Sequence, residues 1–294
     1  MTRRDAFDMF LLSAFWGVSF LMIKWAGHDF PPLWVALLRS VFGGAVLLLA
    51  LAWRRERLPE RRTWPLLALL ALVSNAFPWL MFAVGELTVS SNIAAILNAT
   101  TPLFTLLLAA AVGAARIRWA TLLGVLVGLG GVGLTVSGGV SGGQASLLGA
   151  GVILLASLSY GVGNVLAKGR VTDLSPLGVA AAQMIFSTLW LLPAAALGAQ
   201  PAGLSMQGLV GIAVLGVFGS GLAYLVFYSL LARVSSTQSA AVTYLLPIWG
   251  LFWGALTGEH VSLTSLLGVG VVLAGLLVLN APVREQPGPI EQGA

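Results

Sequence analysis

Two basic side chains of this 294-residue sequence, Lys24 and Arg39, lie inside long apolar stretches, and a third, Lys168, directly follows such a stretch. A charge in the apolar part of a membrane needs a partner or a water-filled cavity. Lys24 and Lys168 occupy equivalent places in two similar segments. Each could hold a carboxylate or extend its ammonium group to the nearer membrane interface, and extension is favoured for Lys168, which has Arg170 close by. Arg39 could bind the carboxylate of a solute or cap the carbonyl groups of a neighbouring helix end, and we favour capping.

Aromatic and amide side chains form a second set of candidates within the apolar stretches. Flat rings stack on flat solutes, and a few amides supply hydrogen bonds in a mostly apolar wall. Together with Lys24, the predicted substrate-binding residues are Trp16, Asn75, Trp79, Phe82, Asn98, Tyr160, Asn164, Tyr224, Tyr228 and Tyr244. For each aromatic residue the alternative is packing between helices.

Motifs of catalysis and cofactor binding do not occur in a usable context. The sequence has no cysteine, which excludes thiolate metal sites and a cysteine nucleophile. Residues 139–143 match the G-x-S-x-G nucleophile motif, but they lie in a predicted glycine-rich turn. The spacing of His28 and His260 from this motif does not indicate that either is the base of a catalytic triad. No Walker sequence is present. We therefore expect no enzyme activity, no cofactor and no metal site.

The composition indicates which elements must position these residues. Hydrophobic residues make up 58% of the chain and charged residues 9%, whereas soluble domains carry roughly 25% charged residues. The long unbroken apolar runs predict helices rather than alternating strands. The chain is therefore predicted to be an all-α polytopic membrane protein in the lipid bilayer. Ten transmembrane helices are predicted at 7–26, 33–53, 64–85, 91–112, 119–137, 147–167, 176–197, 207–231, 236–257 and 263–281.

The basic residues are distributed unevenly between the two sides of these helices. Of the 15 lysines and arginines, all except Lys24 and Arg39 fall on the side of the N-terminus. Because cytoplasmic loops carry the excess of basic residues, both termini are predicted in the cytoplasm and the protein in a bacterial inner membrane. Basic loops beside the anionic leaflet also explain the pI of about 10.2, so no nucleic acid partner is expected.

Two halves of the sequence share one pattern at an offset of about 144 residues. Residues 13–24 read SAFWGVSFLMIK, and residues 157–168 read SLSYGVGNVLAK. Residues 32–42 read PLWVALLRSVF, and residues 176–186 read PLGVAAAQMIF. Each half holds five predicted helices, an odd number, so the second copy enters the membrane from the opposite side.

The repeat divides the chain into two predicted units and a tail. The first five-helix repeat covers residues 1–145, and the second, inverted repeat covers residues 146–281. Residues 282–294 are polar with three prolines and are predicted to form a disordered cytoplasmic tail. Two similar halves of opposite orientation can adopt two near-mirror arrangements around a central cavity, which predicts alternating access.

The motifs of both halves resemble those of a known superfamily. The W-G pair of the first helix, the R-x-x-F of the second and the Ser-Ser…Pro helix in each half are similar to the drug/metabolite transporter superfamily, in particular its ten-helix EamA-type branch. The wealth of aromatic residues makes the chain most similar to bacterial exporters of aromatic amino acids and other metabolites. The resemblance implies that helices 1–4 and 6–9 surround the cavity and that helices 5 and 10 lie outside it.

We therefore expect a secondary transporter that exports small amphipathic metabolites, including aromatic amino acids. A passive channel or facilitator for small metabolites is the main alternative, although an internal inverted repeat favours alternating access over a pore. An intramembrane enzyme is disfavoured because no catalytic motif has a suitable context.

The energy source and the oligomeric state stay open at this stage. No acidic residue lies in the middle of a predicted helix, which favours a facilitator or weak proton coupling through Glu86. Small residues in helices 5 and 10 permit close contact, and packing within a monomer is favoured over a dimer. These residues are Gly124, Gly128, Gly131, Gly268 and Gly275.

Overall fold

The computed structural model describes residues 2–114, 119–141, 143, 145–234, 239, 241–259 and 262–279. Within these residues the chain forms ten helical segments and no β-sheet, as predicted. The predicted tail, 282–294, lies outside the described residues. The segments are α1 (Arg3–Ala26), α2 (Pro32–Arg54), α3 (Arg61–Gly85), α4 (Ser91–Ala111), α5 (Trp119–Ser141), α6 (Leu147–Ala167), α7 (Pro176–Leu197), α8 (Met206–Arg233), α9 (241–256) and α10 (Leu263–Leu279).

Proline and serine residues determine where several helices begin. Pro32 and Pro176 occupy the first turn of α2 and α7, where a missing N–H leaves no bond unmade. The side chains of Ser146, Ser175 and Ser205 each accept a hydrogen bond from the backbone N–H three residues later and so cap α6, α7 and α8. These local signals explain why predicted and observed boundaries agree to about one helical turn.

The helices are apolar, and successive helices run in opposite directions. Seven of them, α1–α4 and α6–α8, are long and apolar enough to span a membrane. The other three contain shorter apolar stretches, at Leu126–Thr135, Leu246–Leu256 and Leu263–Gly275. Five helices in the first half place the second half in the inverted orientation. We call the side where α1 begins the N-terminal face and the other side the distal face.

Contacts between the two halves follow a two-fold pattern. Helix α1 packs against α8 and α9, and at the equivalent places of the other half α6 packs against α3 and α4. Helices α2 and α7, α4 and α9, and α5 and α10 also pack in pairs, so each helix of these pairs contacts its own repeat partner. Exchange of the two halves therefore preserves these contacts, as expected for an internal repeat.

Two matched interruptions lie in the middle of α3 and α8. Residues Leu72–Ala76 and Val217–Leu222 form π-helical turns, each of which inserts one residue into its helix. The sequence predicts weakened helix at these depths, from Pro78 in α3 and from Gly219 and Gly221 in α8. The structure confirms that both repeats depart from α-helical geometry at the same depth.

Helices α5 and α10 are in direct backbone contact. A Cβ atom added to Gly131 would lie 2.5 Å from the backbone N of Val272 and 2.7 Å from the carbonyl O of Gly268. A Cβ atom added to Gly275 would lie 2.6 Å from the backbone N of Gly128. Only glycine permits so close an approach of two helices.

Gly131→Ala is expected to lower the thermal stability of the purified protein, because the added methyl group has to push α5 and α10 apart. Overpacking of this kind costs about 1–3 kcal/mol. Gly133→Ala in the same helix is the matched control, since no atom lies within 4 Å of its added Cβ. Thermal unfolding in detergent, followed by circular dichroism, compares the two. Equal Tm values would contradict the close contact.

Candidate substrate-binding cavity

A central cavity lies between the two halves of the bundle. Residues of α1–α4, α6, α8 and α9 line it, and none of the described residues of α5 or α10 does. Water-sized molecules can occupy about 60 Å³ of this space, and one water needs about 10–15 Å³, so the cavity is narrow. Seven of the predicted site residues lie in its wall, namely Trp16, Phe82, Asn98, Tyr160, Asn164, Tyr224 and Tyr228.

Aromatic rings from both repeats form most of the apolar wall. The ring of Tyr224 lies edge-on to Trp79 and to Trp16, with centroids 5.7 Å and 6.2 Å away. Phe82 of α3 and Tyr160 of α6 stack with centroids 5.9 Å apart and an angle of 28° between their planes. Ring pairs in these geometries attract each other and restrict each other's orientation. The wall is therefore a well-defined surface for a flat group.

A buried guanidinium group interrupts this wall. Arg39 of α2 lines the cavity with 4% of its surface exposed. Its Cζ lies 4.0 Å from the ring centroid of Trp79, and its Nε donates a 3.0 Å hydrogen bond to Ser220 Oγ. Ser220 Oγ donates in turn to the carbonyl O of Leu215, which leaves its lone pairs for Arg39. Three helices thus fix the position of this cation.

The structure does not support the expectation that Arg39 caps a helix end, because its hydrogen bond goes to a side-chain hydroxyl. Among the described residues, no carboxylate forms an ion pair with Arg39 and no acidic side chain lines the cavity. A desolvated charge is costly unless it is paired. The guanidinium is therefore suited to receive an anionic group from a solute.

The π-helical turn of α3 offers two carbonyl groups to neighbouring helices. Ser159 Oγ of α6 donates to the carbonyl O of Val73 at 2.7 Å, and Tyr224 OH of α8 donates to that of Ser74 at 2.7 Å. A π-turn leaves the regular hydrogen-bond ladder, so such carbonyl groups become available to side chains. The ring of Tyr224 is therefore held by its hydroxyl group as well as by Trp79.

Amide and hydroxyl groups form a polar band between α4 and α6. Helix α4 is interrupted between Asn98 and Thr101, as the proline that follows predicts. Thr101 Oγ1 lies 3.0 Å from Asn98 Oδ1, and Asn164 Nδ2 donates to Thr105 Oγ1 at 3.3 Å. Asn98, Thr101 and Asn164 also line the cavity, where they can bind a polar group of a solute.

Three predicted site residues that the structure describes, Trp79, Asn75 and Lys24, lie outside the cavity wall. Trp79 is buried between Arg39 and Tyr224. Asn75 is fully buried, and its amide N and O have no hydrogen-bond partner among the described residues. Lys24 lies at the distal face. The side chain of Tyr244 is outside the part of the chain that the structure describes.

An ion pair joins α1 to the connection between α9 and α10 at the distal face. Lys24 Nζ lies 2.6 Å from Glu259 Oε1, and the same carboxylate accepts hydrogen bonds from the backbone N–H groups of Ser91 and Asn92. Burial raises the pKa of the Glu259 carboxyl, but Lys24, the backbone N–H of Asn92 and the hydroxyl group of Ser91 outweigh it and hold the pKa below its usual value. We call Lys24, Ser91, Asn92 and Glu259 the distal latch.

Another set of ion pairs joins the repeats at the N-terminal face. Arg233, at the end of α8, donates through Nε to Asp5 Oδ1 at 2.9 Å and through a terminal nitrogen to Asp8. Both aspartates belong to the first turns of α1. We call Asp5, Asp8 and Arg233 the N-terminal latch, because it links the first repeat to the second as the distal latch does on the other side.

Lys168 forms a specific contact at the N-terminal face. Its Nζ donates to the carbonyl O of Leu231 at 2.9 Å and of Val234 at 2.7 Å, at the end of α8. The favoured expectation was extension towards the interface, and the structure instead places the ammonium group on unsatisfied helix carbonyls. The two repeat-related lysines, Lys24 and Lys168, thus hold helices together at opposite faces.

The comparison with protein families bears on both halves of this bundle. The sequence profile of the EamA-like transporter family matches residues 6–137 and again residues 147–281. The chain belongs to the EamA-like transporter family. The resemblance drawn from the sequence motifs is therefore confirmed, and the protein is a membrane transporter of this type.

Relatives of this EamA-like transporter are named as transporters or exporters. It is 29% identical over 297 residues to the "Uncharacterized inner membrane transporter YedA" of Escherichia coli (strain K12), covering 97% of this chain and 95% of the relative. It is 27% identical over 290 residues to the "Probable terminal-alkyne amino-acid exporter" of Streptantibioticus cattleyicolor, covering 92% and 95%. One solved crystal structure, 18% identical, has a TM-score of 0.72, covers 95% of this chain and 97% of its own, and shows the same fold.

The cavity of this EamA-like transporter also contains residues that the sequence analysis did not select. Ser19, Phe20 and Ile23 follow Trp16 at three, four and seven positions, which is one face of a helix. Phe227 follows Tyr224 by three positions in the same way. Helical spacing from the selected aromatic residues would therefore have found them.

Proposed function

We propose that this protein is a secondary transporter that exports small amphipathic metabolites, including aromatic amino acids, by alternating access. One observation carries the proposal. The guanidinium of Arg39 is buried in an aromatic-lined cavity between the two repeats, without a carboxylate partner among the described residues. A solute with one carboxylate and one flat apolar group complements both features.

A carboxylate satisfies Arg39 better than other common groups. A guanidinium has five N–H donors, and within the described residues only the Nε–H of Arg39 has an acceptor. A carboxylate can accept two parallel hydrogen bonds from a guanidinium and neutralises its charge. A cationic solute would instead add a second unpaired charge to a desolvated site. The site therefore favours anionic or zwitterionic solutes.

The aromatic wall favours a flat apolar group beside that carboxylate. Trp16, Phe82, Tyr160 and Tyr224 surround the cavity with ring faces and edges. Transfer of an apolar ring from water into such a site is favourable by about 1.5–3 kcal/mol. Asn164 offers an amide to the amino group of an amino acid. The printed name of one relative, an amino-acid exporter, supports the same class of solute.

Alternating access needs contacts that close each face in turn. The distal latch and the N-terminal latch lie at opposite faces, and each joins the two repeats. A cavity as narrow as this one fits a state in which both latches are formed. We expect the N-terminal face to be cytoplasmic in an inner membrane, because the basic residues concentrate there, so export ends with release at the distal face.

Counterflow in proteoliposomes tests the proposed function. Vesicles loaded with unlabelled phenylalanine are expected to accumulate external labelled phenylalanine transiently and saturably, because a carrier exchanges solutes through one site. Trp79→Ala and Tyr224→Ala are each expected to lower the exchange rate about tenfold, since each loses an aromatic pair and its buried area.

Leu189→Ala is the matched control, since Leu189 is an exposed apolar residue of α7 outside the cavity lining. Flux that rises linearly with concentration and shows no counterflow would identify a channel. Unchanged counterflow in both aromatic variants would mean that these rings serve packing alone.

A further inference from the structure

A second pocket lies at the distal face, beside the distal latch. Lys24, Glu86, Thr88 and Glu259 are among the residues that line it. Glu86 directly follows the last residue of α3, and both of its carboxyl oxygens are buried without a hydrogen-bond partner among the described residues. Ionisation of a carboxyl group in such a place is unfavourable, because the charged form is cut off from water and has no hydrogen-bond donor. The protonation state of Glu86 is therefore tied to how closed the pocket is.

Charged groups face Glu86 from three elements. Lys24 of α1 and Glu259 of the α9–α10 connection form the ion pair of the distal latch, and Arg39 of α2 acts from the cavity side. Because Lys24 is already paired with Glu259, an ionised Glu86 would be the second carboxylate beside one lysine. His260 follows Glu259 in the sequence and lies outside the described residues.

These surroundings raise the pKa of the Glu86 carboxyl well above its usual value. Burial is the largest cause and the negative charge of Glu259 is the second. The charges of Lys24 and Arg39 act in the opposite direction and do not compensate. These surroundings thus favour the neutral carboxylic acid of Glu86 over its carboxylate while the distal latch is closed.

We propose that Glu86 is a proton-binding site that is occupied when the distal face is closed and releases its proton when that face opens. Opening would separate the distal latch and admit water to the carboxyl group. The O–H bond of the acid then breaks, the carboxylate keeps the electron pair, and the proton passes to water at the distal face. This inference rests on the proposed alternating access, but it does not depend on which solute the cavity binds.

The direction of the pH effect follows from linkage. Because the closed state binds this proton more tightly, Glu86 favours closure fully below the pKa of a water-exposed glutamate, about 4.3, and this contribution is lost as pH rises through the raised pKa of the closed state. One proton changes the ratio of open to closed protein by at most about tenfold per pH unit.

Glu259 does not produce the same effect near neutral pH. Its pKa is lowered in the closed state, so its contribution to closure is present above the ordinary carboxyl pKa and is lost only as pH falls through the lowered value. A change in opening above pH 6 is therefore not attributed to Glu259.

Cysteine labelling measures the opening directly, and the chain has no native cysteine to remove. Ile23 lines the cavity on α1 next to Lys24 and is buried, so Ile23→Cys reacts with a membrane-impermeant maleimide only when the distal face opens. The labelling rate in intact cells is measured from pH 6 to pH 8 with Glu86 intact and with Glu86→Gln. The labelling rate with Glu86 intact is divided by the rate with Glu86→Gln. The pH dependence of the thiol reaction is the same in both and cancels in this ratio.

This ratio is expected to rise with pH over the interval, by at most about a hundredfold over two pH units, because the glutamine side chain stays neutral and the carboxyl of Glu86 does not. A ratio that is constant, or that rises as pH falls, overturns the proposal. Glu86→Ala repeats the comparison if the glutamine variant does not reach the membrane. His260→Asn is the further control: if it abolishes the pH dependence while Glu86→Gln preserves it, the histidine is the titrating group and the proposal fails.

Discussion

Arg39→Met is expected to lower the preference of the transporter for phenylalanine over its decarboxylated analogue by about a hundredfold. Methionine keeps an unbranched side chain of similar reach but removes the cation that is suited to bind a carboxylate. Truncating one partner of a buried hydrogen-bonded charge pair costs about 2–5 kcal/mol, and about 2.8 kcal/mol corresponds to a factor of one hundred. Initial counterflow rates with the two solutes in competition measure the preference.

Arg39→Lys separates the charge of Arg39 from its geometry. Lysine keeps a positive charge but has no planar fork for a carboxylate, and it stacks less well on Trp79. We expect a preference between those of the wild type and of Arg39→Met, at the same amount of protein in the vesicles. A methionine variant that folds and keeps the wild-type preference would show that Arg39 only connects α2, α3 and α8.

Glu259→Lys is expected to shift the protein towards the state open at the distal face. The substitution replaces an attraction to Lys24 by repulsion and removes the acceptor of the N–H groups of Ser91 and Asn92. Loss of a buried partner costs about 3–5 kcal/mol, and the water exposure of Lys24 reduces this, so we expect about a hundredfold rise in the ratio of open to closed protein.

The labelling rate of Ile23→Cys reports this shift, and counterflow is expected to fall because closure of the distal face becomes rare. Glu60→Lys is the matched control, since it makes the same change in charge at an exposed ion pair with Arg62. Adding Lys24→Glu to Glu259→Lys restores one attraction but not the contact with Ser91, so partial recovery is expected. Equal labelling rates in the Glu259→Lys and Glu60→Lys variants would show that the distal latch does not keep the distal face closed.

The helices and the division into two repeats were predictable from the sequence because their signals are local or repeated. Apolar runs end at prolines and charged loops, and the two similar halves imply an inverted repeat. Even the irregular turns at Leu72–Ala76 and Val217–Leu222 were indicated by a proline and by paired glycines nearby. The aromatic candidates Trp16 and Tyr160 came from equivalent positions in the two repeats, and the cavity contains both.

The polar partners could not be predicted, because they lie far apart in the chain. Arg39 meets Ser220 across 181 residues, and Glu259 meets Ser91 across 168 residues. Sequence analysis could name Arg39 as a buried cation but could not decide what surrounds it, since that depends on the packing of α2 against α3 and α8.

The two π-helical turns determine the direction in which the aromatic side chains that follow them point. In a continuous α-helix each residue advances the side-chain direction by about 100° and the chain by 1.5 Å. Removing one residue from Leu72–Ala76 would make α3 regular, yet it would swing Trp79 and Phe82 about a quarter-turn around the axis relative to the preceding half of the helix. The helix content would survive while the aromatic surface dispersed. The extra residue in each π-helical turn thus rotates the side chains that follow it about the helix axis. This rotation occurs in α3 and in α8, so both repeats orient the second half of the helix separately from the first.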